Sequence, residues 1–123
     1  MGTADAALCH SANHLVTLFA GASNALRAAG VDDPAALLAP LARAALGNSI
    51  AYGFNALSGP VLHGDSKTIQ GHLAALETDC PELQAPYRAM ALATINELVR
   101  NGLLDPSELR KILDEWGKIE VPR

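Results

Sequence analysis

Two long stretches of this sequence contain no charged residue, and they constrain the fold more than any other feature. Residues 6–26 and 44–64 each run for 21 positions without Asp, Glu, Lys or Arg. A helix of that length could cross a bilayer, but both stretches contain histidine, asparagine and serine, which hydrocarbon disfavours. We therefore expect both to be buried in protein, against the rest of the domain, a second subunit or a domain absent from this chain.

The composition predicts a single all-α domain. Of the 123 residues, 23 are Ala and 19 are Leu, while only 4% are aromatic. Ala and Leu are strong helix formers, and a sheet would need more β-branched and aromatic residues. The length suits one domain rather than two.

Charge and cysteine content indicate which partners the chain can bind and in which cellular compartment it occurs. The net charge is −4, and no run of Lys and Arg exceeds two residues, which disfavours nucleic acid as a partner. Cys9 and Cys80 lie too far apart for a CxxC motif, and the N-terminus lacks the basic and apolar regions of a signal peptide. We expect two reduced thiols, a cytoplasmic location and no interaction with a membrane.

Capping residues, prolines and glycines predict where the helices begin and end. The predicted helices begin at Asp5, Pro34, Pro40, Asp65, Cys80 and Asp105, and they end near Ala29, Gly53, Thr78, Asn101 and Lys118. Residues 53–65 form the main irregular segment. The prediction is five to seven helices in one domain over residues 6–123, with residues 1–5 as a vector-derived or domain junction.

The first predicted helix has two distinct faces. One is an apolar stripe, expected to face the core, formed by Leu8, Ala12, Leu15, Phe19, Ala22 and Leu26. The other, called here the polar stripe, is uncharged and consists of His10, Asn13, His14, Thr17, Gly21 and Asn24. The polar stripe fits either a helix–helix interface with satisfied hydrogen bonds or the wall of a ligand-binding cleft.

A second amphipathic helix is predicted over residues 81–101. Its largely apolar face consists of Leu83, Tyr87, Met90, Ala91, Thr94, Leu98 and Asn101. We expect this face to pack on the first helix as part of the core.

Few residues are spaced in a way that indicates chemistry. His10 and His14 are four residues apart, which suits two metal ligands with Cys9 or His63 added, but no H-E-x-x-H motif is present and no metal is predicted. A Cys9 nucleophile would lack a base, because neighbouring helical side chains point about 100° apart. Asp65 is expected to act as an N-cap rather than as a general base.

Several segments resemble an uncharacterised C-terminal helical domain that follows a Rossmann-like NAD(P)-binding domain, chiefly in actinobacterial-type oxidoreductases. They are residues 12–18 (ANHLVTL), 26–31 (LRAAGV) and 56–65 (ALSGPVLHGD), followed by His72 and Leu73. The resemblance extends from Ala6 to about Leu113. It implies a fold similar to the C-terminal domains of 6-phosphogluconate dehydrogenase and pyrroline-5-carboxylate reductase.

The resemblance also implies a function, namely substrate binding and dimerisation in an NAD(P)-dependent oxidoreductase. The chain itself would bind no cofactor, since it lacks a glycine-rich nucleotide motif; NAD(P) would bind to the parent protein's Rossmann domain. The implied substrate-binding residues are His10, Asn13, Thr17, Ser58, Gly59, Pro60, His63 and Asp65. A homodimer burying more than about 2,000 Å² would cover the uncharged stretches. The alternative is a helical oligomerisation module with no ligand and no catalysis.

Overall fold

Four α-helices and two short 3₁₀ helices account for most of the part of the chain that the structure describes. The computed structural model describes residues 2–105 and residue 107. The α-helices are α1 (Gly2–Ala28), α2 (Pro34–Tyr52), α3 (Ser66–Asp79) and α4 (Gln84–Arg100), and the 3₁₀ helices are Gly53–Ala56 and Pro81–Leu83. No strand occurs within these residues, so the all-α prediction is confirmed. The helix predicted to begin at Asp105 lies almost wholly outside them.

Local capping determines three of the helix boundaries. The Asp33 carboxylate accepts a hydrogen bond from the Ala36 backbone N–H at 3.3 Å and begins α2. α2 ends at Gly53, whose φ of 64° lies in the left-handed region. Asp65 caps α3 in the same way as Asp33 caps α2. These three predictions are confirmed.

The prediction of a separate helix beginning at Pro40 is wrong. α2 continues through Pro40, which lies inside the helix. A proline removes one backbone hydrogen bond, here the bond to the carbonyl of Ala36. The neighbouring residues are mostly Ala and Leu, which favour helix strongly enough to continue it on both sides.

The core lies between α3 and α4. Its buried cluster consists of Ile69, Leu73, Ala91 and Ile95, with Val61, Tyr87 and Leu104 packed against it. Leu98 is also buried, at 2% exposure. The prediction that the 81–101 helix packs on the first helix holds only for its first turn, where Leu83 of the second 3₁₀ helix contacts α1. It is wrong for α4, which packs on α3 and on that 3₁₀ helix.

α1 contributes nothing fully buried to this core. None of its 27 residues is buried, and Pro34 is the one buried residue of α2. α1 contacts α2, α3 and the second 3₁₀ helix, and a β-carbon at Gly21 would lie only 2.7 Å from Cδ1 of Leu83. The predicted core stripe of α1 is wrong for its N-terminal half, where Leu8 is 68% exposed, because no other element of the described chain covers it.

Candidate functional site

An apolar groove runs between α1 and α2, with a volume of about 870 Å³. α1 lines it with Leu15, Leu18, Phe19, Ala22 and Ser23, and α2 lines it with Ala35, Leu38, Ala39, Ala42, Arg43, Ala45, Leu46 and Ser49. Ser23, Arg43 and Ser49 are the polar members of this set. We call it the α1–α2 groove.

Large apolar side chains are exposed along both helices of the groove and around them. Val16 of α1 is 68% exposed, and Leu41 and Ile50 of α2 are 69% and 78% exposed. Small monomeric proteins rarely leave a contiguous surface of this kind uncovered. Much of the two uncharged stretches is therefore surface in a single chain, which leaves burial by a second subunit or by a domain absent from this chain as the untested part of the prediction.

The polar stripe of α1 is solvent-exposed from His10 to Thr17. The Nδ1 atoms of His10 and His14 lie 2.8 Å apart, and their rings meet edge to face with centroids 4.8 Å apart. The Asn13 side-chain amide donates a hydrogen bond to the Sγ of Cys9 at 3.4 Å. The stripe thus offers imidazole, amide and hydroxyl groups to solvent without a fixed charge.

The loop 58–65 ends at Asp65, whose carboxylate is held by two hydrogen bonds from Thr68. Asp65 Oδ1 accepts from the backbone N–H of Thr68 at 3.1 Å, and its Oδ2 accepts from the Thr68 hydroxyl at 2.6 Å. These two hydrogen bonds, with smaller contributions from the charges of His63 and His72, lower the pKa of Asp65. The lowered pKa makes this carboxylate a weaker proton acceptor, which fits a helix cap and disfavours a general base.

The backbone of the same loop closes on itself and leaves polar side chains exposed. The Asp65 N–H donates to the carbonyl of Pro60 at 2.9 Å. Gly59 has a φ of 95°, which a residue with a side chain rarely adopts. Ser58 and His63 are exposed, whereas Gly59 and Pro60 are half-buried. Ser58 also borders a second cavity of about 440 Å³ formed with the end of α2 and the first 3₁₀ helix.

A histidine–tyrosine pair beside this loop was missed by the sequence analysis. Nδ1 of His72 lies 2.8 Å from the hydroxyl of Tyr87, and burial raises the pKa of that phenol. His72 belongs to α3 and Tyr87 to α4, and Tyr87 packs on the same apolar cluster as Val61 of the loop. Their separation of 15 residues on different helices left no spacing pattern to detect.

The predicted binding residues form two separate groups. His10, Asn13 and Thr17 lie on the exposed half of α1, and the loop 58–65 contains the others. Within the described part of the chain, no hydrogen bond, ion pair or ring contact joins the two groups. Residues 2–105 and 107 also contain no group of three or more His, Cys, Asp or Glu side chains that could hold a metal.

A comparison with protein families assigns the chain to one of them. A family model described as a domain of unknown function (DUF2520) matches residues 3–94. The chain belongs to this family. No curated protein and no solved structure matches it.

The DUF2520 match covers the features described above. It extends from α1 into the first part of α4, and so includes the α1–α2 groove, the polar stripe, the loop 58–65 and the His72–Tyr87 pair. No described helix of this DUF2520 domain is long and apolar enough to cross a membrane.

Proposed function

We propose that this DUF2520 domain is the dimerisation and substrate-binding domain of a cytoplasmic NAD(P)-dependent oxidoreductase. The observation that carries the proposal is the uncovered apolar surface of α1 and α2. A 27-residue helix with no buried residue gains little stability from its own chain. Its apolar faces therefore need a partner.

A second copy of the chain is the partner that fits the groove best. Apolar residues from both helices dominate the groove, and α1 presents exposed Leu8 and Val16 outside it, which can enter the groove of another copy. In a two-fold dimer each such contact occurs twice, and we expect an area above about 2,000 Å².

The substrate-binding part of the proposal rests on the two polar groups. The Asn13 amide can donate to and accept from a carbonyl or carboxylate oxygen, and Thr17 lies on the same exposed stripe. The loop 58–65 adds the Ser58 hydroxyl and a backbone at Gly59 that a ligand can approach closely. Because the two groups are apart in one chain, surfaces outside this chain would complete the cleft.

The cofactor is assigned to the parent protein and not to this domain. A Rossmann-type site requires a strand, a glycine-rich turn and a helix N-terminus to bind the pyrophosphate. The described residues contain no strand, and the sequence lacks that glycine motif. We therefore assign NAD(P) binding to the Rossmann domain of the parent protein.

The dimer is tested by light scattering at micromolar concentration. The measured mass should be about twice the 12.8 kDa of one chain. Leu46→Glu should produce a monomer, because Leu46 lines the groove and is 53% exposed in the single chain, so its loss leaves the core intact. Leu103→Glu is the control, since Leu103 is similarly exposed at 54% but lies beyond α4. A monomeric wild-type chain would contradict the dimer.

The oxidoreductase assignment is tested by reconstitution. The chain is mixed with a separately produced Rossmann domain of the parent protein and NADPH, and reduction of candidate carbonyl compounds is followed. Activity should require both parts and should fall in Asn13→Ala. An Asn13→Ala variant as active as wild type would favour the alternative module, in which the helices serve oligomerisation alone.

A further inference from the structure

We propose that His10 and His14 form a chelating site for one divalent transition-metal ion on the exposed face of α1. Their two Nδ1 atoms lie 2.8 Å apart. Tetrahedral zinc with Zn–N bonds of 2.0–2.1 Å places its ligand nitrogens about 3.3 Å apart. The two nitrogens therefore need to separate by about 0.5 Å, and the rings need to rotate so that both lone pairs face the metal.

The surroundings of the pair suit such an ion. Both side chains are exposed, so solvent molecules or ligand atoms can fill the remaining coordination positions. No Lys or Arg occurs between positions 6 and 26 to repel a cation. The backbone between the two residues is regular helix, which fixes their spacing before a metal arrives.

The exchange balances in protons. The 2.8 Å contact needs one Nδ1 to donate and the other to accept. When the ion binds, that proton leaves Nδ1 and Nε2 of the same ring is protonated instead, so both Nδ1 lone pairs bind the metal. Imidazole nitrogen favours Ni²⁺, Cu²⁺ and Zn²⁺, while Mg²⁺ prefers oxygen ligands. The site should therefore take Ni²⁺ and Zn²⁺ but not Mg²⁺.

The test is calorimetric titration of the tag-free chain with NiCl₂, ZnCl₂ and MgCl₂ at about pH 8, where free imidazole is neutral. His10→Ala and His14→Ala should each weaken Ni²⁺ binding roughly 10²-fold, because each variant loses chelation. Circular dichroism of each variant checks that α1 still folds. The inference is independent of the proposed function, because it needs neither a dimer nor a cofactor.

A matched control keeps the number of histidines constant. In the double variant His14→Ala with Ser11→His, two histidines are adjacent in sequence and point about 100° apart, so they cannot chelate. This variant should bind Ni²⁺ as weakly as His14→Ala alone. Cys9→Ser and His63→Ala should bind it as tightly as wild type. Tight binding by the double variant, or its loss in Cys9→Ser, would overturn the His10–His14 site.

Discussion

The hydroxyl of Tyr87 and the Nδ1 of His72 form a 2.8 Å hydrogen bond that links α4 to α3. A second polar link lies nearby, where the Gln84 amide donates to the carbonyl of Leu73 at 3.0 Å. Between them these contacts fix how α4 lies along α3. Tyr87 also shares one apolar cluster with Val61, which places α4 beside the loop 58–65.

Replacing Tyr87 with Phe should lower the free energy of unfolding by about 1 kcal/mol, because the phenol is half-buried and its hydrogen bond is lost. Tyr52→Phe is the matched control, since Tyr52 is 67% exposed. Urea denaturation followed by circular dichroism measures both. Equal midpoints for the two variants would show that the His72 contact contributes nothing to stability.

Leu98→Ala should cost about 2–5 kcal/mol, the range for removing a large side chain from a core. Leu98 is 2% exposed, whereas Leu92 on the same helix is 39% exposed. Leu92→Ala should therefore shift the thermal midpoint far less. A Leu98→Ala melt that matches wild type would mean that α4 does not bury this face.

Asp65 should make stability depend on acid pH. Its pKa in the folded chain lies below the ordinary value of 3.8, chiefly because the Thr68 hydroxyl and backbone N–H donate to it. The folded state therefore favours the ionised carboxylate, and this stabilisation is present above about pH 4 and disappears as the pH falls through the lowered pKa. Asp65→Asn, which still caps but does not titrate, should lose less stability than wild type between pH 5 and about pH 2.

The control for that experiment is Asp32→Asn, which changes an exposed aspartate that caps no helix. It should follow the wild-type curve over the same range. If Asp65→Asn and Asp32→Asn lose stability in parallel with wild type, the Thr68 contacts do not favour the charged form.

The two thiols should differ in reactivity. Cys9 is exposed, whereas Cys80 is buried and donates to Glu82 at 3.2 Å. Burial, followed by the neighbouring Glu82, raises the pKa of Cys80, and a thiol held in its neutral form reacts slowly. A disulfide reagent at about pH 8 should label one thiol per native chain quickly, and Cys9→Ser should abolish that phase. Fast labelling that survives in Cys9→Ser would place Cys80 at the surface.

The sequence predicted those features of the fold that neighbouring residues determine. Asp33 and Asp65 act on backbone groups three residues away, so their caps could be identified without the structure. The partner of α4 could not, because the Ala- and Leu-rich faces of the other helices offer similar contacts. At Pro40 the local prediction failed, because the helical preference of the surrounding residues outweighed the helix-breaking effect of the proline.

The same distinction applies to the candidate site. His10 and His14 were visible as a pair because a helix places residues four apart on one face. Whether their nitrogens met depended on side-chain torsion angles, which spacing does not determine. The His72–Tyr87 pair requires two helices to pack, and a single sequence contains no direct sign of that.

The lack of burial along α1 has a consequence for how the chain folds. The N-terminal half of α1, which is exposed throughout in the single chain, owes its stability to whatever associates with it, and association follows mass action. The amide hydrogens of residues 2–16 should thus exchange more slowly as the protein is concentrated, while those of α3 and α4 keep a constant rate. Thermal unfolding would then have one concentration-dependent part and one independent part, so a single melting temperature would not describe this chain.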